Sequence, residues 1–214
     1  MLFRSVAVSS QIKNYLVRNG VDPQNITVIE NAVESRSTIK RNADEVSLVS
    51  RMEPEKGILD VVNTWKSNPQ LPNLHLIGSG NLGKKIESVA LECSNITYHG
   101  KLDKRNVEEI NAFCKISLTP SLWEEPFGRN LAEALSRGQV VISTPSVESS
   151  RTIKSGVNGF LINNLDSDLV TAIHKGLEID NVVHVKHSQT IWQEFYSPQV
   201  IMEKWGRFYS GDSE

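Results

Sequence analysis

The sequence has 214 residues, 39% of them hydrophobic, and a formal net charge of −2. That length fits one large domain, or one domain with appended elements, and the apolar share supplies a sizeable core. The charge is too low and too dispersed for a nucleic-acid partner, and no apolar run approaches the roughly 18 residues that a membrane span needs.

The chain opens Met-Leu-Phe-Arg-Ser-Val-Ala-Val, a poor secretory leader because it is short and interrupted by Arg4. A short strand is expected over 6–8, then Ser9 and Ser10 as a helix N-cap, a helix carrying Ile12, Tyr15 and Leu16, and a stop at Gly20. Residues 26–29 form a second short strand ending in Glu30-Asn31-Ala32-Val33, before a polar loop. From there strands over 46–50, 74–77, 96–98, 116–118, 140–142 and 159–162 alternate with helices over 58–65, 82–91, 107–113, the segment after Gly128, and 149–154. Three helical patterns close the chain, over 169–177, 190–195 and 199–208. Alternation at this spacing predicts βαβ units: an α/β, Rossmann-like, doubly wound parallel sheet with a helical C-terminal tail. Cys93 and Cys114 have no metal-like spacing and are expected as reduced thiols of a cytosolic protein.

In such a sheet, ligands bind beyond the carboxyl ends of the strands, so the strand-end loops carry the functional candidates. The first, Ser50-Arg51-Met52-Glu53-Pro54-Glu55-Lys56-Gly57, sets two cations in a turn that feeds a helix. They suit a diphosphate; the alternative is an ordinary solvated loop. The second, Gly78-Ser79-Gly80-Asn81-Leu82-Gly83, is a literal G-x-G-x-x-G. A nicotinamide-binding reading would need it on the first strand of the series, with an acid closing the next strand. A tight turn under a ligand fits better. Gly100-Lys101-Leu102-Asp103 could edge a nucleobase or merely connect.

The richest stretch runs from Trp123 to Leu135. Glu125-Pro126-Phe127-Gly128 holds a carboxylate beside the N–H groups that open a helix, a site for an anionic or hydroxyl-rich ligand. Glu133, on the far side of that helix from Leu131 and Leu135, reads equally as a solvated face paired with Arg129 and Arg137. A glycosidase pair of Glu125 and Glu133 would leave the Arg51/Lys56 loop without a purpose. Asp166-Ser167-Asp168 reads as a helix N-terminus capped by Asp166 rather than a metal site. His184 and His187, in a polar connector, have no third ligand.

These segments together resemble the C-terminal, donor-binding domain of the retaining family-4 glycosyltransferases, which have the GT-B fold. The resemblance rests on Val8-Ser9 with Asn31-Ala32-Val33, Ser50-Arg51…Glu55-Lys56-Gly57, Ile77-Gly78-Ser79-Gly80 and Gly100-Lys101-Leu102. It continues through Thr119-Pro120-Ser121, Glu125-Pro126-Phe127-Gly128…Glu133-Ala134-Leu135…Gly138, and Gly156…Gly159-Phe160-Leu161. It implies a nucleotide-diphosphate sugar as donor substrate, no cofactor and no metal. Arg51 and Lys56 would grip the departing diphosphate. Glu125, with the amides of Phe127, Gly128, Arg129 and Asn130, would hold the sugar, and Glu133 the ribose hydroxyls. Gly78 and Gly80 would turn tightly under the ligand, and Leu102 would line the base pocket.

The resemblance further implies residues 1–180 as the nucleotide-sugar domain and 181–214 as helices that pack toward an N-terminal acceptor domain. The chain is then one half of a longer protein, with the acceptor, a saccharide or a lipid-linked one, bound mainly by the other half. Trp192, Phe195 or Trp205 would expose apolar surface in its absence. The expected role is bacterial surface-polysaccharide or lipopolysaccharide synthesis, in a cytoplasmic enzyme working at the inner face of the membrane. No membrane contact is evident in this half itself. Two local departures stand out: Ala32 replaces a usual Gly, and Val147-Glu148-Ser149-Ser150-Arg151 replaces a usual Gly-Gly followed by Glu.

Overall fold

The structure, a computed structural model, describes residues 4–40 and 42–211. Residues 1–3 of the opening segment weighed as a leader, residue 41 of the polar loop and residues 212–214 lie outside the described residues. Strand β1 (Ser5–Ala7) and β2 (Ile26–Val28) pair in parallel around helix α1 (Ser10–Arg18), which the Ser9 side chain caps through the Ile12 N–H. The main sheet holds β3 (Glu45–Val49), β4 (Leu74–Ile77), β5 (Ile96–Tyr98), β6 (Cys114–Thr119), β7 (Val140–Ser143) and β8 (Gly159–Leu161). Its order is β5-β4-β3-β6-β7-β8, and every recorded pairing is parallel. The chain therefore winds outward in both directions from the β3–β6 pair. That pair is the topological switch point, where the crossovers on its two sides diverge and leave a crevice.

Helices α2 (Ile58–Ser67), α3 (Gly83–Glu92), α4 (Lys104–Asn111), α5 (Arg129–Arg137) and α6 (Val147–Thr152) supply the crossovers, and α7 (Leu169–Glu178), which follows the last strand, packs back on the sheet. Val46, Leu48, Leu74, Leu76, Ile116 and Leu118 are buried on one face against Ile58, Val61 and Trp65 of α2 and Leu169 and Ile173 of α7. The opposite face buries Val141 with Leu131, Ala134 and Leu135 of α5 and with Trp192 and Tyr196. Between these apolar clusters, Ser47 donates to Asn111 Oδ1 at 2.8 Å and Gln139 Nε2 to the Cys114 carbonyl at 2.9 Å, whereas Gln139 Oε1 is left without a protein partner.

The C-terminal helices depart from expectation. Helix α8 spans Asn181–Phe195, well upstream of the predicted 190–195, and α9 spans Pro198–Ser210. Asp180 starts α8 by accepting from the N–H groups of Val182 and Val183, a cap hidden because the first half of the helix exposes Val182 and Val183 and shows no clean apolar stripe. His184 and His187 therefore sit on a helix rather than in a connector. His184 is buried, with Nδ1 2.8 Å from the Gly138 carbonyl at the end of α5. Trp192 is also buried, donating its indole N–H to the Val33 carbonyl at 2.9 Å, so it does not present the apolar surface expected of it. Asp168, not Asp166, holds the N-cap position of α7; its carboxylate accepts from the Asn164 N–H and the Ser167 hydroxyl. Among the described residues no helix is long and apolar enough to cross a membrane.

Candidate functional site

A pocket opens at the switch point, walled by Val49 at the end of β3 and Ser50 after it, Thr119 at the end of β6 with Pro120 and Ser121 after it, and Thr144 and Ser146 after β7. Lys56 enters it from a 3₁₀ turn, Pro54–Lys56, that ends at Gly57 in the left-handed region with φ 67°. A Cβ at Gly57 would lie 2.2 Å from the Pro120 carbonyl oxygen, so the turn presses directly on the β6 loop. The Leu122 N–H donates to the Glu55 carbonyl at 2.8 Å and locks the two loops together. The buried Lys56 ammonium thereby reaches Glu125 Oε1 at 2.7 Å and stands 5.3 Å from the Trp123 ring centroid. The Ser121 hydroxyl donates to the same Glu125 oxygen.

Helix α5 begins at the pocket wall. Gly128, with φ 74°, turns the chain into the helix, and Asn130 anchors that first turn by donating to the Val49 carbonyl at 2.5 Å. Phe127 packs edge-on against Tyr196, 5.7 Å between centroids. Phe127, Gly128, Asn130 and Leu131 all line the pocket, which brings the positive end of the α5 dipole there.

The structure brings Lys56, Glu125, Phe127, Gly128 and Asn130 to one pocket and places the other expected residues around it. Arg51 is exposed and outside the pocket lining, with Glu55 Oε1 at 3.6 Å. Arg129 is exposed and donates to Glu133 at 3.1 Å. Glu133 lies outside the pocket lining, at the hub of an ion network: Arg36 approaches it at 2.7 Å and Arg137 at 3.7 Å, and Arg137 also meets Glu108 at 2.7 Å. Arg129 and Arg137 follow from helical spacing, whereas Arg36 comes from the distant polar loop and no local pattern announces it. Gly78 and Gly80 answer first to neighbouring backbone. A Cβ would lie 1.8 Å from the Ser50 oxygen at Gly78 and 2.5 Å from the Met52 oxygen at Gly80, because the β3 and β4 loops run in contact. Leu102 lines a second cavity with His75, His99 and Phe113.

Sequence reasoning singled out no role for Trp123 or Thr144, and it noted Thr119, Ser121 and Glu148 only as parts of motifs. All five line the pocket. Thr119-Pro120-Ser121 was a usable signal, since it closes the strand beside the switch point.

A separate cluster of Glu45, His75 and Cys114 places metal-ligating atoms within 4.8 Å of one another. It sits near the amino ends of β3 and β6, away from the pocket. As it stands the cluster is engaged. His75 Nε2 meets Glu45 Oε2 at 2.9 Å and its Nδ1 meets His99 Nε2 at 2.9 Å. Burial, and then the Glu45 charge, push the Cys114 thiol up to about 12, which keeps it protonated. Burial, and next His75, hold His99 below the ordinary imidazole range. These groups read as a matched polar layer under α4.

The family model for "Glycosyl transferases group 1" matches residues 30–188. The chain belongs to that family. This corrects the narrower expectation of family 4: the matching model is that of group 1. The motifs read from the sequence are loop glycines and charged residues around one crevice, so they describe the cradle and do not carry the subdivision. Among relatives of this group 1 domain, the lipopolysaccharide 1,6-galactosyltransferase of Escherichia coli K12 is 29% identical over 205 residues, covering 86% of this chain and 54% of that protein. The enzyme of the same description from Salmonella typhimurium is 27% identical over 173 residues, covering 73% and 47%. The chain thus spans about half the length of the curated relatives it matches. Among solved structures, Anabaena Alr3699/HepE in complex with UDP superposes with a TM-score of 0.82 at 20% identity, covering 96% of this chain and 63% of that one. The lipopolysaccharide outer core galactosyltransferase WaaB, in its apo form, gives 0.76 at 23%, covering 97% and 62%. The fold is the α/β, Rossmann-like GT-B type with a helical C-terminal region.

Proposed function

We propose that this group 1 domain is the donor half of a retaining glycosyltransferase that moves a sugar from a nucleoside diphosphate sugar to a saccharide or lipid-linked acceptor. The observation that carries the reading is the pairing of buried Lys56 with half-buried Glu125 in the switch-point pocket, beside the opening turn of α5. In this role the two groups part company on the donor. Lys56, with the exposed Arg51 of the same loop, takes the diphosphate and stabilises the charge that grows as it leaves. Glu125 turns to the sugar hydroxyls, and Glu133 shares its network with the ribose diol. These cations and the helix dipole supply the charge stabilisation that a divalent metal would otherwise provide, so the reading needs none.

The acceptor site belongs to a partner domain, as expected of a chain spanning half its relatives. Lipopolysaccharide or another cell-surface polysaccharide is the product class that the two galactosyltransferase relatives favour, and we place the full-length enzyme at the cytoplasmic face of the membrane as part of this proposal. The UDP complex of the Anabaena relative makes UDP the first nucleotide to try. Titration calorimetry with UDP, GDP and ADP tests the reading: UDP should bind in the micromolar to millimolar range, ahead of the others. No heat from any of the three at millimolar concentration would sink it.

A further inference from the structure

We propose that Glu148, together with Thr119, forms a hydroxyl-recognising subsite for the transferred sugar, so that the carboxylate sets which nucleoside diphosphate hexose the pocket accepts. This rests on the donor-site reading above. Among the described residues, five buried side-chain polar atoms have no protein partner, and two of them, Glu148 Oε1 and Thr119 Oγ1, belong to residues in the wall of this pocket. Buried acceptors without a donor are rare in folded proteins, and each calls for a ligand, a water or a function.

The other half of the Glu148 carboxylate is firmly held. Oε2 accepts from Arg151 at 2.6 Å and from the Tyr196 hydroxyl at 2.8 Å. Burial, and then the Glu148 charge, push the Tyr196 phenol well above its ordinary value, so it stays a donor. The backbone is fixed as well: Ser146 and Ser149 form a reciprocal cap at the start of α6, and Ser149 Oγ donates to the Thr144 carbonyl at 3.0 Å. Thr144 in turn donates to the Ser121 carbonyl at 2.6 Å, tying this loop to the one that carries Glu125. One oxygen is thus pinned from behind by two donors while the other, on a residue of the pocket wall, is left to accept.

A carboxylate oxygen accepts hydrogen bonds and repels anions. The part of a donor that it can meet is therefore the sugar with its hydroxyls, not the diphosphate, which Lys56 draws to itself. The Thr119 hydroxyl can both give and take a hydrogen bond and so complements a second sugar oxygen. Sites that bind a hydroxyl in this way reject the analogue lacking it much more strongly than an apolar wall rejects an added group, because a buried acceptor is then left unpaired.

Calorimetry on the whole chain tests this with UDP, UDP-galactose, UDP-glucose and their monodeoxy analogues, using wild type, Glu148→Gln and Thr119→Val. The wild type should bind one UDP-hexose more tightly than the analogue deoxygenated at a single position, by roughly tenfold or more. Glu148→Gln should erase that preference and leave UDP affinity unchanged. The nearly isosteric Thr119→Val should reduce the hexose preference without lowering the melting temperature. The proposal is overturned if all three proteins rank the deoxy donors alike, as a subsite holding only water would give. It is equally overturned if UDP and UDP-hexose lose affinity together in Glu148→Gln, which marks a purely structural carboxylate. Wild type that binds UDP yet ignores sugar hydroxyls removes this inference alone, whereas failure to bind any of UDP, GDP and ADP removes the donor-site reading with it.

Discussion

Lys56 and Arg51 stand five residues apart in one loop, yet the fold gives them different surroundings. Lys56 is buried and paired at 2.7 Å, while the Arg51 side chain is 64% exposed beside Glu55. Solvent screens an exposed cation and lets it move, whereas a buried ammonium on a fixed turn is held at the pocket, where the proposed role has it meet the diphosphate. Lys56→Met should therefore weaken UDP by about 1.5–3 kcal/mol, the range for a hydrogen bond to a charged group, or about ten- to 150-fold in affinity. Uridine should be unaffected. Arg51→Met should weaken UDP by less than Lys56→Met does. Equal losses of UDP and uridine in Lys56→Met would remove the diphosphate from its job description. Glu133→Gln makes the complementary test. As a ribose ligand its loss should weaken UDP and leave inorganic pyrophosphate alone, whereas a carboxylate serving only Arg36, Arg129 and Arg137 should lower the melting point without altering either ligand.

At the scale of elements, the strand-end loops are held by contact between backbones, and glycine is what lets them approach. Gly78 combines a φ of 138° with a Cβ position 1.8 Å from the Ser50 oxygen. Gly100 has a φ of 64° but nothing within 4 Å of its would-be Cβ. Gly78→Ala should thus cost about 2–4 kcal/mol by strain and overpacking together, and Gly100→Ala only about 1 kcal/mol from the left-handed backbone. Urea unfolding of the two variants measures the difference; similar midpoints would mean that the loops are free to separate. The same contrast explains what was legible beforehand. Strand β4 at Leu74–Ile77 and the apolar side of α5 announce themselves because their partners lie at a fixed period along the chain. The order of motifs along the loops likewise pointed to the carboxyl edge of the sheet, where the pocket opens. The reach of Arg36 to Glu133, the burial of His184 and the orphaned oxygen of Glu148 depend on residues far apart in sequence, and local periodicity carries no trace of them. The first half of α8 was hidden for a related reason: it turns valines to solvent and a histidine inward.

Across the whole molecule, buried His184 and half-buried His99 tie stability to pH. His184 joins α8 to the end of α5 through the Gly138 carbonyl, and its Nε2 lies 3.1 Å from Asn181 Oδ1. Burial, chiefly, lowers its pKa below 6.5, against the opposing hydrogen bond to the Gly138 carbonyl, with the Lys115 charge lowering it further and Asp180 raising it. His99 is lowered for the same leading reason, with His75 as the second cause. A base whose folded pKa lies below its unfolded value binds fewer protons when folded, so acid favours the unfolded chain. Stability should therefore be full above about pH 7.5 and decline as pH falls through the unfolded imidazole value near 6.5. Glu30 adds a later loss. Lys204 and Arg151 overcome the cost of its burial and hold its pKa below 4.5, so the stabilisation is present above that value and disappears as pH drops through the lowered folded one. Thermal unfolding between about pH 7.5 and 5.5 isolates the histidine part, because carboxylates remain largely charged there. The melting temperature should fall across that window, and His184→Gln should flatten the slope while lowering the starting value. An equally steep slope in the variant would assign the acid sensitivity to another group; a flat wild-type profile would mean that His184 takes up its proton without disturbing the α5–α8 junction.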